Sequence, residues 1–223
     1  MITYTGIRVA PDNDLVPSPR DIAVQMARIT RYGGAVWCPL LAHSVLVAGL
    51  VLKAIHHVRL RASDLPTWAW GLLHDAHEVV TGEVVRPWKP DGLRARQAEL
   101  DRRIRDAFHL DESSIDLAMV KAMDERALIA EAVVLQLPNF ARAYTEIEDL
   151  AEFPAPARHE VDLMEALRRS PFFDPSSCLA PEAAPAVVGV EEILSEVRRG
   201  DLASAFEGWE VVLGDLLPEV RLG

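Results

Sequence analysis

Two histidines and two aspartates stand in otherwise apolar sequence. His43 lies in the apolar run 39–52, the pair His74 and Asp75 directly follows "WAWGLL", and Asp124 lies within "MVKAMDERALIAEAVVLQL". Asp is seldom buried without a partner, and a bound cation would be such a partner. Alternatively, Asp124 could lie on a helix surface and be solvated by water. Two imidazoles and two carboxylates suit one divalent transition metal such as Mn, Fe, Co, Ni or Zn. Such an ion lowers the pKa of bound water and neutralises phosphoryl oxygens.

Another acidic residue follows this pair at a helical interval. Glu78 comes four residues after His74 and three after Asp75, so on a continuing helix the three side chains share a face. A carboxylate in that position is a candidate general acid or base. His77, three residues after His74, could also face the site or could equally be a surface residue, and the sequence assigns it no role.

The apolar periodicity predicts an all-α fold that carries these residues. Ser18 and Pro19 are typical of a helix cap and first turn. Helices are expected from Pro19 to Gly33, from Pro39 to His57, from Asp64 into His74-Asp75, over 92–110, from a Ser113 cap to residue 137, over 158–170, and as two or three short acidic helices in the tail. Residues 1–18 are predicted to be an extended strip.

Composition restricts the partners. A net charge of -11 provides no basic face for nucleic acid or an anionic membrane, but leaves room for a small phosphorylated substrate. Cys38 and Cys178 form neither a disulfide framework nor a cysteine metal site. The longest apolar stretch falls short of the roughly 18 residues needed to span a bilayer. These features favour a protein of the reducing cytoplasm.

The motif residues, in order, resemble a known family. His43, His74-Asp75 and Asp124 resemble the "H…HD…D" signature of the HD-domain metal-dependent phosphohydrolases. The blocks "ITRYGG", "LLAHSVLVAGL", "LLHDAHEVVTGEVVRPWK" and "VKAMDERALIAEA" are similar, in order and spacing, to those of the bacterial and phage 5'-deoxynucleotidase subgroup. The resemblance covers about residues 22 to 131 and extends towards residue 170.

This resemblance implies a helical bundle in which His43, His74, Asp75 and Asp124 hold one divalent metal. Glu78 would assist the attack of water on a phosphoryl group. The products would be a deoxynucleoside and phosphate or, as in relatives that act on triphosphates, triphosphate; some phage members are specialised for deoxyadenosine triphosphate.

The resemblance also implies substrate contacts around this metal. Arg31 would grip phosphate while the ring of Tyr32 packs on the sugar or base, and Arg28 competes with Arg31 for that role. Glu83 stands where the subgroup often has Asp, which implies contact with sugar hydroxyls or support of the catalytic water.

Three further side chains keep two interpretations each. Lys89 resembles the Lys that closes its block and holds phosphate, but a solvated surface lysine is almost as good an interpretation. Trp37 and Trp88 are candidates for stacking on a base, although a Trp near a helix end is more often part of the core.

The sequence divides into an N-terminal strip (1–18), an HD phosphohydrolase domain (19–175) and an acidic helical appendage (176–223), with a homodimer or higher homo-oligomer as a further expectation. Three functions remain open: a deoxynucleotide phosphohydrolase, an enzyme of another phosphoester such as a cyclic nucleotide, and a non-catalytic module that binds metal and nucleotide. Glu78 favours chemistry, because a pure binding module has no need of it.

Overall fold

The computed structural model describes residues 5–6, 9, 15–55, 61–84, 89–137, 155–175, 180–181 and 184–216. Over these ranges the protein is all-α, as predicted. Its α-helices, numbered here in chain order, are α1 Pro19–Arg28, α2 Leu40–Ile55, α3 Leu65–Leu73, α4 Glu78–Thr81, α5 Asp91–Ala107, α6 Leu117–Val134, α7 Arg158–Arg169, α8 Pro185–Arg198 and α9 Leu202–Leu216. Most of the predicted N-terminal strip, His57, Trp88 and Cys178 lie outside the described residues.

Helix α1 begins as predicted but ends earlier. Asp21 N–H donates to Ser18 Oγ at 3.1 Å, and the Asp21 carboxylate accepts from Ser18 N–H at 3.0 Å, which forms a capping box. The helix stops at Arg28 instead of continuing to the glycines. The chain leaves the helix because Ile29 adopts an extended conformation and Thr30 pairs with Pro39.

The segment between α1 and α2 is a closed loop. Arg31 N–H donates to Cys38 carbonyl oxygen and Leu40 N–H donates to Ile29 carbonyl oxygen, both at 2.9 Å. Within this loop Tyr32 has φ of +60°, a conformation that aromatic residues rarely adopt. The loop therefore fixes the direction of Arg31 and Tyr32 relative to α2.

Helix α2 lies at the centre of the bundle and packs against α1, α3, α6 and α7. Every residue from Leu40 to Leu52 is buried, as expected for a helix that is apolar nearly all round. Gly71 on α3 lets that helix approach closely, because a Cβ built there would lie only 3.3 Å from Ala48 Cα. The two helices that carry His43 and lead into His74 are thus in close contact.

Helix α3 does not continue through the HD pair. It ends at Leu73, and residues 74–77 form turns in which Ala76 N–H bonds to Leu73 oxygen at 2.8 Å and Glu78 N–H to Asp75 oxygen at 2.9 Å. These bonds span three residues instead of four, so the backbone is tighter than in an α-helix. The expectation of one continuing helix face from His74 to Glu78 is therefore wrong.

The start of α6 also differs from the prediction. The side chain of Asp116, not Ser113, caps the helix by accepting from Met119 N–H at 2.9 Å. Ser113 lies in a separate 3₁₀ turn, Glu112–Ser114, where the Asp111 side chain accepts from its N–H. The two nearby aspartates compete better for these caps, since a carboxylate is a strong acceptor for helix N–H groups.

The acidic C-terminal helices α8 and α9 cover apolar surface of the bundle. Helix α8 packs against α1, and α9 packs against α3. Trp209 on α9 is fully buried and meets Trp68 on α3 edge to face, with ring centroids 5.6 Å apart. None of the helices in the described ranges has the length and apolarity needed to cross a membrane.

The close crossing at Gly71 generates a stability prediction. A methyl group at Gly71 would press on Ala48 Cα and Val51 Cγ2, both 3.3 Å away, and backbone atoms cannot move aside cheaply. We expect this overpacking to cost about 1 to 3 kcal/mol, while the higher helix propensity of Ala returns roughly 1 kcal/mol. The free energy of unfolding of Gly71→Ala should fall by the difference between these two contributions.

Gly92→Ala is the matched control, since Gly92 lies in α5 and a Cβ there meets nothing within 4 Å. Urea denaturation of both variants checks the prediction. Equal stabilisation by the two substitutions would show that the α2 and α3 crossing tolerates a methyl group.

Candidate metal centre

The four sequence-predicted metal ligands converge in the structure. Asp75 Oδ2 lies 3.6 Å from His43 Nε2 and 3.4 Å from His74 Nε2, and Asp124 Oδ1 lies 3.1 Å and 3.9 Å from the same two atoms. Two atoms that each bind one ion at about 2.1 Å are separated by roughly 3 to 4.2 Å, depending on the angle between them. These distances therefore match ligands of a single ion.

His43 is oriented by a residue that the sequence did not reveal. Its Nδ1 lies 2.7 Å from Oε1 of Glu131, which is fully buried on α6. A carboxylate only accepts, so Nδ1 carries the proton and Nε2 presents a lone pair to the cluster. Glu131 follows Asp124 by two helical turns within an apolar stretch, the one signal that could have identified it.

His74 is held in the same tautomer by the backbone. Its Nδ1 lies 2.8 Å from the carbonyl oxygen of Gly71, which can only accept. Nε2 of His74 and Nε2 of His43 are both buried and make no hydrogen bond of acceptable geometry. Lone pairs that face carboxylates repel them unless a cation or proton lies between, so this donor set fits a divalent metal.

The charges of the cluster favour a cation. Burial opposes protonation of both imidazoles, yet neighbouring carboxylates raise the pKa of His43 and raise that of His74 well above its ordinary value. Burial likewise favours the neutral acids, but His74 and its neighbours hold the pKa of Asp75 well below its usual range, and His43 and His74 do so for Asp124. The two aspartates are therefore ionised at neutral pH.

Arg31, a predicted substrate contact, lies beside this cluster. Its Nη1 donates to Asp75 Oδ2 at 3.3 Å, and its Nε lies 3.4 Å from Glu131 Oε2. Arg28, the rival candidate, is exposed at the last residue of α1. The structure thus places Arg31, and not Arg28, in contact with the metal ligands.

Tyr32 and Glu83 flank the same cluster. Tyr32 donates its hydroxyl to Glu131, so the phenol is part of the network that holds His43. Its backbone N–H donates to Glu83 Oε1 at 3.0 Å. Glu83 therefore connects the loop between α1 and α2 to the segment after α4. The two residues predicted to contact the sugar, Tyr32 and Glu83, are thus in direct contact.

Glu78, which is buried, and Lys89, which is partly exposed, form an ion pair next to the candidate metal ligands. Lys89 Nζ donates to Glu78 Oε1 at 3.2 Å, and Glu78 is only 4% exposed. Burial and the charge of Asp75 raise the pKa of Glu78 to about 7, against the opposing charge of Lys89. Lys89 thus pairs with Glu78 while its side chain stays 20% exposed, and Glu78 can gain or lose a proton near neutral pH.

Two remaining side chains have specific partners. The indole N–H of Trp37 donates to the carbonyl oxygen of Phe173 at 2.9 Å, and the ring packs on the core, which favours the structural interpretation of this residue. His77 is buried, so its surface interpretation is wrong; its Nδ1 lies 2.8 Å from Asp101 Oδ1 on α5.

Comparison with known proteins adds no relative. No family model matches the chain, and neither a curated protein nor a solved structure matches it. The geometry and the sequence motifs therefore carry the functional argument.

The buried partner of His43 generates a metal-binding prediction. Glu131→Gln keeps the size of the side chain but removes the negative charge that makes His43 a better ligand, so we expect Mn²⁺ affinity to fall about 10- to 100-fold. Isothermal titration of the chelator-stripped protein measures this change. Glu165→Gln, on the exposed face of α7, is the control and should bind Mn²⁺ as the wild type does; equal affinities in all three proteins would contradict the role of Glu131.

The raised pKa of Glu78 generates a pH prediction. The folded protein holds this proton up to about pH 7, whereas an ordinary Glu loses it near 4.5, so the metal-free protein loses stability as the pH rises between these values. Glu78→Gln lacks this loss. Between pH 5 and pH 8 we expect the free energy of unfolding of the wild type to fall by up to about 3 kcal/mol more than that of the variant. Urea denaturation in the presence of a chelator measures both values. Parallel pH profiles would show that Glu78 titrates normally.

Proposed function

We propose that this protein is a metal-dependent phosphohydrolase that acts on deoxynucleotides. The observation that carries the proposal is the convergence of His43, His74, Asp75 and Asp124 at separations suited to one ion, with Arg31 in contact with Asp75. Hydrolysis of a phosphate ester mainly requires positioning and the stabilisation of negative charge. A cation site beside a buried guanidinium meets that requirement.

The ligands fit an ion that supplies a nucleophilic water at neutral pH and neutralises phosphoryl oxygens. The rest of the work belongs to the side chains around it. The Nε of Arg31 pairs with Glu131, and its Nη1 donates to Asp75. If Arg31 releases Asp75, its guanidinium can bind a phosphate group through two hydrogen bonds. Lys89 brings a second cationic group to the Glu78 side of the cluster.

Glu78 is the best candidate for moving a proton. Its pKa of about 7 lets it accept a proton from water and return it to a leaving oxygen within one catalytic cycle. Lys89 keeps one carboxylate oxygen in place, while the other, Oε2, is buried and makes no hydrogen bond.

The nucleotide class rests on the sequence blocks that resemble 5'-deoxynucleotidases. Tyr32 donates its hydroxyl to Glu131 and its backbone N–H to Glu83, and the resemblance implies that Tyr32 and Glu83 contact the sugar and base. Monophosphate and triphosphate substrates are both compatible with it. Cys38 is buried and free of a disulfide, which fits the proposed cytoplasmic setting; the homodimer or higher oligomer stays a prediction.

The substrate assay tests the proposal directly. The protein reconstituted with Mn²⁺, Co²⁺ or Zn²⁺ is incubated with deoxynucleoside mono-, di- and triphosphates, and the released phosphate species are separated by ion chromatography. We expect release of phosphate or of intact triphosphate. Nucleotide binding without release under any of the three metals would replace the proposal with a binding module.

Two substitutions should separate ligand from proton carrier. Asp75→Ala removes a carboxylate shared by both imidazoles, so we expect loss of metal and of turnover together. Glu78→Ala should keep the ion at the four-ligand cluster and lose turnover by about 100-fold or more. Metal analysis and initial rates check both, with Asp162→Ala on the surface of α7 as control; undiminished turnover in Glu78→Ala would remove Glu78 from the mechanism.

A further inference from the structure

His77 and Glu78 carry buried polar atoms that have no partner. Nε2 of His77 and Oε2 of Glu78 are inaccessible to solvent and make no hydrogen bond. The two residues are 7% and 4% exposed. Leaving such groups unsatisfied costs roughly 1 to 3 kcal/mol each, so their arrangement requires an explanation.

Both side chains are held by neighbours that leave these atoms available. Asp101 accepts from His77 Nδ1 at 2.8 Å, just as Glu131 accepts from Nδ1 of His43. This fixes the tautomer in which Nε2 has a lone pair, the usual preparation of an imidazole for a metal. Lys89 occupies Oε1 of Glu78 and leaves Oε2 unoccupied.

The same two side chains converge with a ligand of the first cluster. One nitrogen or carboxylate oxygen from each of Asp75, His77 and Glu78 lies within 4.8 Å of the others. A first group, His43, His74 and Asp124, meets the same criterion, and Asp75 Oδ2 lies 3.6 Å from His43 Nε2 and 3.4 Å from His74 Nε2. A carboxylate has two oxygens and can bridge two cations.

We propose that Asp75, His77 and Glu78 form a second divalent cation site that shares Asp75 with the first. Two carboxylates and a neutral imidazole match the charge and the ligand preference of Mn²⁺ or a similar ion. When this site is filled, Oε2 of Glu78 is a ligand, so the proton transfer proposed for Glu78 belongs to the protein with only the first site filled. The catalytic consequence rests on the proposed function, because adjacent ions stabilise both the attacking and the leaving oxygen in phosphoryl transfer.

The experiment counts ions and does not depend on activity. The full-length protein is stripped with chelator and equilibrated with Mn²⁺ alone, and bound metal is measured by equilibrium dialysis and mass spectrometry. We expect two ions per wild-type chain, one in His77→Ala and one in His43→Ala. The control His159→Ala, at an exposed position of α7, should keep two.

Asp101→Asn provides a second variant that leaves every ligand in place. It should weaken the second Mn²⁺ about 10- to 100-fold and leave the first unchanged. Circular dichroism confirms that each variant is folded. One ion per wild-type chain, unaffected by His77→Ala and lost in His43→Ala, would overturn the second site and leave the proposed function intact. No bound ion in the wild type would overturn both.

Discussion

The site depends on one unusual arrangement inside the helical bundle, in which two carboxylates face the lone pairs of two imidazoles. Asp75 and Asp124 are ionised and lie within 4 Å of Nε2 atoms whose protons have been directed to the opposite ring nitrogen. Such an arrangement is costly without a positive charge at its centre. The helices supply this arrangement from three directions: α2 from the core, the end of α3, and α6.

Around this centre, further side chains form ion pairs and hydrogen bonds with the cluster. Glu131 joins His43, Arg31 and Tyr32 in one buried network, and Arg31 returns to Asp75. On the other side, Asp101 supports His77 and Lys89 supports Glu78. These ion pairs and hydrogen bonds hold the side chains around the cluster in fixed positions despite its dense charge.

The sequence predicts the helices and the main ligands but not the groups that orient them. His43, His74, Asp75 and Asp124 are recognisable because charged residues in apolar runs need a partner. Glu131 and Asp101 are less visible, since an acidic residue on a helix is ordinarily a solvated one. Only the packing of α6 and α5 shows that each faces a histidine.

Local backbone differences arise where tertiary contacts override periodicity. Residues 74–77 leave the α-helical path through bonds that span three residues, although "LLHDAHEVV" has ordinary helical spacing. Within this turn Asp75 approaches His43 and His74, and it also groups with His77 and Glu78. Trp37 is a different case: of its two interpretations, base stacking and a core position, the bond from its indole N–H to Phe173 oxygen favours the core position.

The contact between Trp209 and Trp68 joins the C-terminal helices to the helix that leads into His74. Ligand geometry tolerates displacements of only about half an ångström. Any loosening of α9 would therefore be transmitted along α3 to the imidazole at its end. Helix α9 is in this sense a brace for the candidate metal centre.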